Sequence, residues 1–207
     1  AKVTPIFKSN NKMDAENYRP ISQLPMIAKC EEKIINNQLL TFLDSNKLIS
    51  KNQYGFRPKS NTDTAIFDLC NEIAKAVDDG YIVAILLLDQ KRAFDTAHHE
   101  TLLTKLYNMG VTGTENKWFA SYLKERQQFT QIDELKSQKG NLDYGIPQGA
   151  ATSGTCYIVY NNDFSDTQMK GKTFKYADDI TNMYKKNVAN RLRNKSKNSR
   201  EKLNSKI

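Results

Sequence analysis

Cysteine, histidine and long apolar runs are scarce in this 207-residue chain, and each scarcity excludes a class of protein. The three cysteines are scattered, odd in number and never spaced as Cys-x-x-Cys, which argues against a structural zinc site or a disulfide framework. The two histidines are adjacent and near no cysteine, so we expect no histidine metal site. No apolar run approaches the ~18 residues of a membrane span, and no signal peptide is recognisable. We therefore expect an intracellular protein, nuclear or cytoplasmic, that is neither secreted nor bound to a membrane.

The positive charge is concentrated towards the C-terminal end. The net charge is +8, and residues 185–207 hold nine lysines and arginines against one glutamate, so the rest of the chain is balanced. Lys185, Lys186, Arg191 and Arg193 are candidates for binding a phosphate backbone without reading its sequence. A tail rich in Lys, Asn and Ser is also typical of disorder. We predict a disordered or loosely helical tail, with a specific nucleic-acid arm as the alternative.

Two short runs of alternating polarity flank the dipeptide Asp178-Asp179, and this pattern predicts a β-hairpin with carboxylates at its tip. Neighbouring ionised carboxylates repel each other and are costly to bury unpaired. A divalent cation relieves that repulsion, and Mg²⁺ prefers hard oxygen ligands of this kind. The chain also contains a contrasting pair, because Asp78-Asp79 ends a helical pattern before Gly80 and indicates an exposed helix end.

A third carboxylate follows an uncharged segment. Residues 81–88 are uncharged and rich in branched apolar side chains, which predicts a strand buried on both faces. The segment ends at Asp89, and open sheets place their functional sites at strand ends. If this strand lies beside the hairpin, three carboxylates converge on one metal site. The alternative is that Asp89 simply caps the strand and begins a turn.

Helical periodicity predicts four helices, and one further segment alternates as a strand. The predicted helices are Met26–Leu43, Thr62–Asp79, His99–Met109 and Glu115–Lys124, and the strand is Gln128–Asp133. Asp95 is predicted to cap the segment that begins at Thr96. Helices mixed with strands indicate the α+β class.

Five short motifs together resemble one known family. In chain order they are Asn17–Ser22, Gln53–Pro58, Asp89–Thr96, Gly145–Gly149 and Tyr176–Asp179. Their order and spacing resemble the reverse transcriptases of non-LTR (LINE-type) retrotransposons, particularly those of animal genomes, over about residues 1–184. The resemblance implies an RNA-directed DNA polymerase core that uses an RNA template, a DNA primer and deoxynucleoside triphosphates.

The resemblance also implies a domain organisation. The fold would be the α+β fingers and palm of a right-hand polymerase, with a mixed or antiparallel palm sheet packed on helices. Fingers would occupy residues 1–80, the palm residues 81–184, and a basic tail residues 185–207, with the thumb absent. The sequence does not predict an oligomeric state.

Residue roles follow by the same resemblance. Asp89, Asp178 and Asp179 would be catalytic and would hold two Mg²⁺ ions, with Asp178 the firmer ligand of the adjacent pair. The nucleotide would be contacted by Phe94 beneath its sugar, by Gln148 and Gly149 in a glycine-rich loop, and by Arg19 and Arg57 at its triphosphate. Each has an alternative, since Phe94 could be an ordinary core residue, the loop a plain surface turn and the arginines solvated charges.

The chain departs from the family pattern after Gly149. Residues 150–157 are smaller and more polar than the apolar helix of the family, which predicts weaker packing beneath the active site. The basic tail also follows the hairpin where a thumb is expected. We therefore expect little or no primer extension from this chain alone. The competing function is a truncated, non-catalytic relic or a domesticated nucleic-acid-binding module with the same fold.

Overall fold

The computed structural model describes residues 1–90, 92–164 and 170–187, which form two β-sheets and five α-helices. The strands are β1 (Lys2–Phe7), β2 (Tyr18–Gln23), β3 (Tyr81–Asp89), β4 (Arg126–Ile132), β5 (Leu135–Lys136), β6 (Gly140–Leu142), β7 (Lys172–Tyr176) and β8 (Asp179–Asn187). The helices are α1 (Met26–Ser45), α2 (Thr62–Asp78), α3 (His99–Asn108), α4 (Gly113–Leu123) and α5 (Ser153–Tyr160).

The second sheet carries the predicted hairpin. Its strand order is β3-β8-β7, with both pairs antiparallel. Tyr176 is the register partner of Asp179, so the hairpin closes over the two-residue turn Ala177-Asp178. Ala177 has φ of 57°, as a tight hairpin turn requires at this position. The prediction of a carboxylate hairpin is confirmed.

The strand that ends at Asp89 lies where the sequence predicted it, but the prediction that both its faces are buried is wrong. β3 is the edge strand of its sheet, and Leu86 and Leu87, which point to opposite faces, are 42% and 74% exposed. Apolar periodicity identifies a strand but does not state how many neighbours cover it. In the described part of the chain, β3 pairs only with β8.

The first sheet joins distant parts of the chain. Its order is β2-β1-β4-β5, and β6 pairs with the other end of β4. β1 runs parallel to β4, with Lys2 opposite Phe129. A sheet built from residues on both sides of position 80 means that the predicted fingers–palm boundary, which stays a prediction, does not separate two independent units.

The four predicted helices are confirmed to within about two residues at each end. Asp78 is the last residue of α2 and Gly80 has φ of 75°, as the pattern of an exposed helix end indicated. One capping prediction is wrong. His98, and not Asp95, caps α3 through its ring nitrogen, whereas the Asp95 carboxylate accepts a hydrogen bond from Gln148.

Helix α5 forms the centre of the main core, so the prediction of weak packing after Gly149 is wrong. Tyr157, Ile158 and Val159 are at most 1% exposed and pack with apolar residues of α1, α3 and α4. The polar residues of this segment are buried as well, because each finds a partner. Thr152 donates to the Tyr122 hydroxyl, and the Thr155 hydroxyl donates to Asn36.

Strand β8 extends into the predicted basic tail. Lys185 and Lys186 belong to this strand and pair with Val83 and Ile82, so the prediction of disorder is wrong for these two residues. The Lys185 ammonium also lies 5.5 Å from the centre of the Tyr81 ring. Arg191 and Arg193 lie outside the described residues. Within the described residues, no helix has the length and apolarity needed to cross a membrane.

Candidate active site

A cleft of about 1240 Å³ opens between the two sheets, and six of the eight residues predicted to be catalytic or to bind the nucleotide line it. Those that do are Asp89, Asp178, Phe94, Gln148, Gly149 and Arg19. They come from the end of β3, the hairpin turn, the loop before α5 and strand β2. Residues far apart in the sequence therefore face one space that is large enough for a nucleotide.

The three predicted carboxylates gather at one end of the second sheet. Asp89 is the register partner of Asp179 across the β3–β8 ladder, and Asp178 occupies the adjoining turn. Burial raises the pKa of Tyr157 well above its ordinary value, and the negative charges of all three aspartates add to that effect. The charge of each carboxylate therefore acts on Tyr157. Like charges on opposite residues of a ladder destabilise the strand pair unless a cation offsets them.

The carboxylates do not converge symmetrically. Among the described residues, no three His, Cys, Asp or Glu side chains are arranged as a group that could hold a metal ion. Asp89 and Asp178 line the cleft, whereas Asp179 continues the strand opposite Asp89 and is not among the lining residues. Two acidic side chains on one cleft supply the hard oxygen donors that suit a divalent cation. The role of the full triad stays a prediction.

Phe94 lies within an aromatic column. Its ring stacks on Tyr157 with centroids 4.7 Å apart, and Phe56 meets it edge-on at 6.1 Å. The Tyr157 hydroxyl donates to the amide oxygen of Gln90, which also accepts from Asn161. Phe94 is held by these two rings and also lines the cleft, so part of its side chain can contact a bound molecule.

The glycine-rich loop is held through both the side chain and the backbone of Gln148. The Gln148 side-chain amide donates to Asp95 at 2.9 Å, and the Gln148 backbone carbonyl accepts from the Ser22 backbone nitrogen at 2.8 Å. Gly149 has φ of 98°, and a Cβ there would lie 3.3 Å from Ile21. The loop therefore needs glycine at 149 to approach strand β2.

The two candidate arginines lie in different surroundings. Arg19 is exposed on β2 and lines the cleft. The Arg57 guanidinium donates to the Asp44 carboxylate at 2.7 Å and to the Ser50 carbonyl at 3.2 Å, and Arg57 is not among the lining residues. Arg92 also lines the cleft, where it pairs with Glu16 at 3.0 Å.

The sequence did not predict which residues hold the hairpin in place. Residues 52–55 run beside β7, where the Tyr54 amide donates to the Lys175 carbonyl and the Lys175 amide to the Asn52 carbonyl. A Cβ on Gly55 would lie 2.3 Å from the backbone nitrogen of Ala177. This glycine is required because the loop touches the carboxylate turn. The Gly-Phe dipeptide in the second motif was the available signal.

Solved structures share this fold. Telomerase from Candida albicans in complex with the TWJ fragment of telomeric RNA matches with a TM-score of 0.61 and 12% identity, over 93% of this chain and 38% of that chain. Apo telomerase from Candida tropicalis truncated from its C-terminal domain matches with a TM-score of 0.55 and 10% identity, over 81% and 41%. At these identities the likeness shows the fold alone, and the predicted α+β fingers-and-palm polymerase fold is confirmed.

Sequence comparison is more specific. The family described as reverse transcriptase (RNA-dependent DNA polymerase) matches residues 7–206, and this chain belongs to that family. The RNA-directed DNA polymerase from mobile element jockey of Drosophila melanogaster is 33% identical over 72% of this chain. The probable RNA-directed DNA polymerase from transposon BS of the same species is 28% identical over 84%. The resemblance to non-LTR retrotransposon enzymes is confirmed, and the family is generally metal-dependent.

The chain spans only a small part of these relatives. It covers 16% of the jockey polymerase and 20% of the transposon BS polymerase. What the whole relatives do therefore extends to this chain only as a proposal.

Proposed function

We propose that this chain is the fingers-and-palm core of a retrotransposon RNA-directed DNA polymerase. As part of the whole polymerase, this core would join a deoxynucleoside triphosphate to the 3′-hydroxyl of a DNA primer paired with an RNA template. The observation that carries the proposal is the shared cleft, because carboxylates from the end of β3 and from the β7–β8 turn, an aromatic side chain and a glycine-rich loop all line it.

The carboxylates would hold two Mg²⁺ ions. Asp89 and Asp178 line the cleft, and Asp179, which lies opposite Asp89 in the ladder, would contribute more weakly. When bound, such ions activate the attacking hydroxyl and neutralise the leaving pyrophosphate. The chain's contribution is to place these oxygens on rigid strands, so that the reacting groups are held in line.

Phe94, Gln148 and Gly149 would bind the nucleotide. Phe94 is fixed by its stacking on Tyr157, so its ring presents a stable surface to the sugar and leaves little room for a 2′-hydroxyl. Gln148 is held by Asp95, which orients its amide at the base of the cleft. Arg19 is placed to meet the triphosphate. We do not propose that Arg57 contacts the triphosphate, because its guanidinium already donates to the Asp44 carboxylate.

Nucleotide binding tests the proposal directly, and the chain offers a matched control. Asp178→Asn should abolish Mg²⁺-dependent binding of a deoxynucleoside triphosphate measured by isothermal titration calorimetry. Asp78→Asn removes the same charge from the other Asp-Asp dipeptide, at the exposed end of α2, and should leave binding unchanged. Equal loss in both variants would contradict the proposal, since it would reflect total charge and not this cleft.

Primer extension on an RNA template separates the two candidate functions. Synthesis that depends on Asp178 supports the polymerase. RNA binding without Mg²⁺-dependent nucleotide binding supports instead the non-catalytic nucleic-acid-binding module. If Phe94→Val still discriminates against ribonucleotides, Phe94 is not the residue that excludes the 2′-hydroxyl.

A further inference from the structure

Helix α1 buries one carboxylate beneath the glycine-rich loop. Glu32 is 3% exposed, and its Oε2 accepts a hydrogen bond from the Ala151 backbone nitrogen at 2.8 Å. Burying a carboxylate is unfavourable unless its oxygens are hydrogen-bonded. Because an uncharged side chain would fill this place at lower cost, the position of Glu32 calls for a reason beyond packing.

A second polar contact lies one turn further along both helices. Asn36, four residues after Glu32, accepts from the Thr155 hydroxyl at 2.6 Å, and Thr155 is four residues after Ala151. The two bonds therefore form a matched pair between α1 and α5. They differ in what they hold, because Asn36 bonds a side chain within α5 whereas Glu32 bonds the backbone of the turn that precedes it.

The charge of Glu32 acts at the start of α5. It contributes to raising the pKa of both Cys156 and Tyr122, after burial as the main cause in each case. The first turn of a helix has amide groups without helical partners and a positive potential, so a carboxylate placed there is favoured. Glu32 bonds the Ala151 amide just before the N-cap residue Thr152, so its carboxylate lies beside this end of the helix.

The other side of the loop is fixed independently. Gln148 is bound by Ser22 and Asp95, and the Ser153 hydroxyl donates to the Pro147 carbonyl. Only two residues lie between Gln148 and Ala151. The segment from 148 to 151 is therefore held at its first residue by β2 and at its last by Glu32.

We propose that Glu32 is a positioning residue for the nucleotide loop. Its hydrogen bond to Ala151 sets the height of residues 148–151 above α1, and so the placement of the Gln148 amide in the cleft. This inference rests on the proposed nucleotide-binding function. It assigns to α1, which does not line the cleft, a part in nucleotide affinity.

The experiment compares Glu32→Ala, Glu32→Gln and Asn36→Ala in the full chain. Glu32→Ala should weaken binding of Mg²⁺–dNTP about tenfold, as the loss of one charge-assisted hydrogen bond implies. Glu32→Gln keeps an acceptor oxygen and should recover most of that loss. Asn36→Ala removes the hydrogen bond between Asn36 and Thr155. It should lower thermal stability about as much as Glu32→Ala does and leave nucleotide affinity unchanged.

Hydrogen–deuterium exchange supplies a readout that does not need nucleotide. Amides of residues 148–151 should exchange fastest in Glu32→Ala, whereas Glu32→Gln should stay close to the unaltered chain and Asn36→Ala should not differ from it. Equal exchange there in all three variants, or equal loss of affinity in Glu32→Ala and Asn36→Ala, would overturn the proposal. If the unaltered chain bound no nucleotide, the proposed function would fail, and the exchange comparison would still decide the role of Glu32. Should Glu32→Ala not fold, Glu32→Met fills the same space without an acceptor oxygen and carries the same comparison.

Discussion

The burial of strand β3 and of helix α5 is the reverse of what their amino-acid compositions suggest. β3 is uncharged until Asp89, yet four of its apolar side chains are more than 40% exposed. α5 begins with serine, glycine and threonine, yet six of its eight residues are buried. Hydropathy alone would have ordered the two segments the other way.

The difference comes from position and pairing. β3 is an edge strand with α2 against part of its surface, so most of its side chains meet no second layer. α5 lies among α1, α3 and α4, and its hydroxyls bond to Tyr122, Asn36 and the Pro147 carbonyl. A buried polar group that is hydrogen-bonded costs little, so a polar sequence can fill a core when its partners are supplied.

Truncating the same residue type in both elements tests this contrast most strongly. Ile158 of α5 is fully buried and Ile85 of β3 is 46% exposed. Ile158→Ala should lower the free energy of unfolding by about 2–5 kcal/mol because it leaves a cavity. Ile85→Ala should cost well under half as much, since water already reaches the side chain. Urea denaturation measures both, and similar losses would mean that β3 is covered.

Adding a methyl group examines how tightly α5 is packed. A Cβ on Gly154 would lie 2.4 Å from the Phe56 ring, whereas a Cβ on Gly140 would meet nothing within 4 Å. Gly154→Ala should therefore cost about 1–3 kcal/mol and shift Phe56 away from Phe94, while Gly140→Ala should be close to neutral. Thermal denaturation of the two variants checks the prediction. A neutral Gly154→Ala would show that the Phe56 ring moves freely.

Alkaline pH offers a third measure of the buried segment. Burial, aided by the charge of Glu32, raises the pKa of the Cys156 thiol to about 12. The folded chain thus keeps this thiol protonated while the unfolded chain loses the proton near pH 8.5, so stability is full below that pH and falls as pH rises towards 12. The slope should be about 1.4 kcal/mol per pH unit. Cys156→Ala should reduce the slope, and Cys70→Ala, at an exposed thiol, should not.

The smallest effect concerns the exposed edge. Ile82 of β3 lies opposite Lys186 of β8. Ile82→Glu should stabilise the pair by a few tenths of a kcal/mol and Ile82→Lys should destabilise it similarly, since cross-strand charges interact by about 0.2–1 kcal/mol. A charged side chain at position 82, of either sign, should reduce self-association through the exposed edge of β3, and light scattering would measure this. A large loss of stability in both would indicate that Ile82 is buried in solution.

Local patterns predicted the elements, and long-range contacts explain the errors. The hairpin at Asp178 and the helices follow from periodicity within a few residues of sequence. The pairing of β1 with β4, the coverage of β3 and the partners of Thr155 depend on residues far along the chain, which no local window contains. The site shows the same division, because the motifs located Asp89 and Gln148 but could not show that Asp44 engages Arg57.

The register between Asp89 and Asp179 has a consequence for the order of assembly. These residues are far apart in sequence, so their ladder is a non-local contact that forms only after most of the chain has been synthesised. Until β8 is made, β3 pairs with no other described strand and its apolar residues remain open to other chains. Among the described elements, the acidic end of the sheet is thus completed late, and a nascent chain stalled before the hairpin would be prone to aggregate while the carboxylates of the candidate site are still apart.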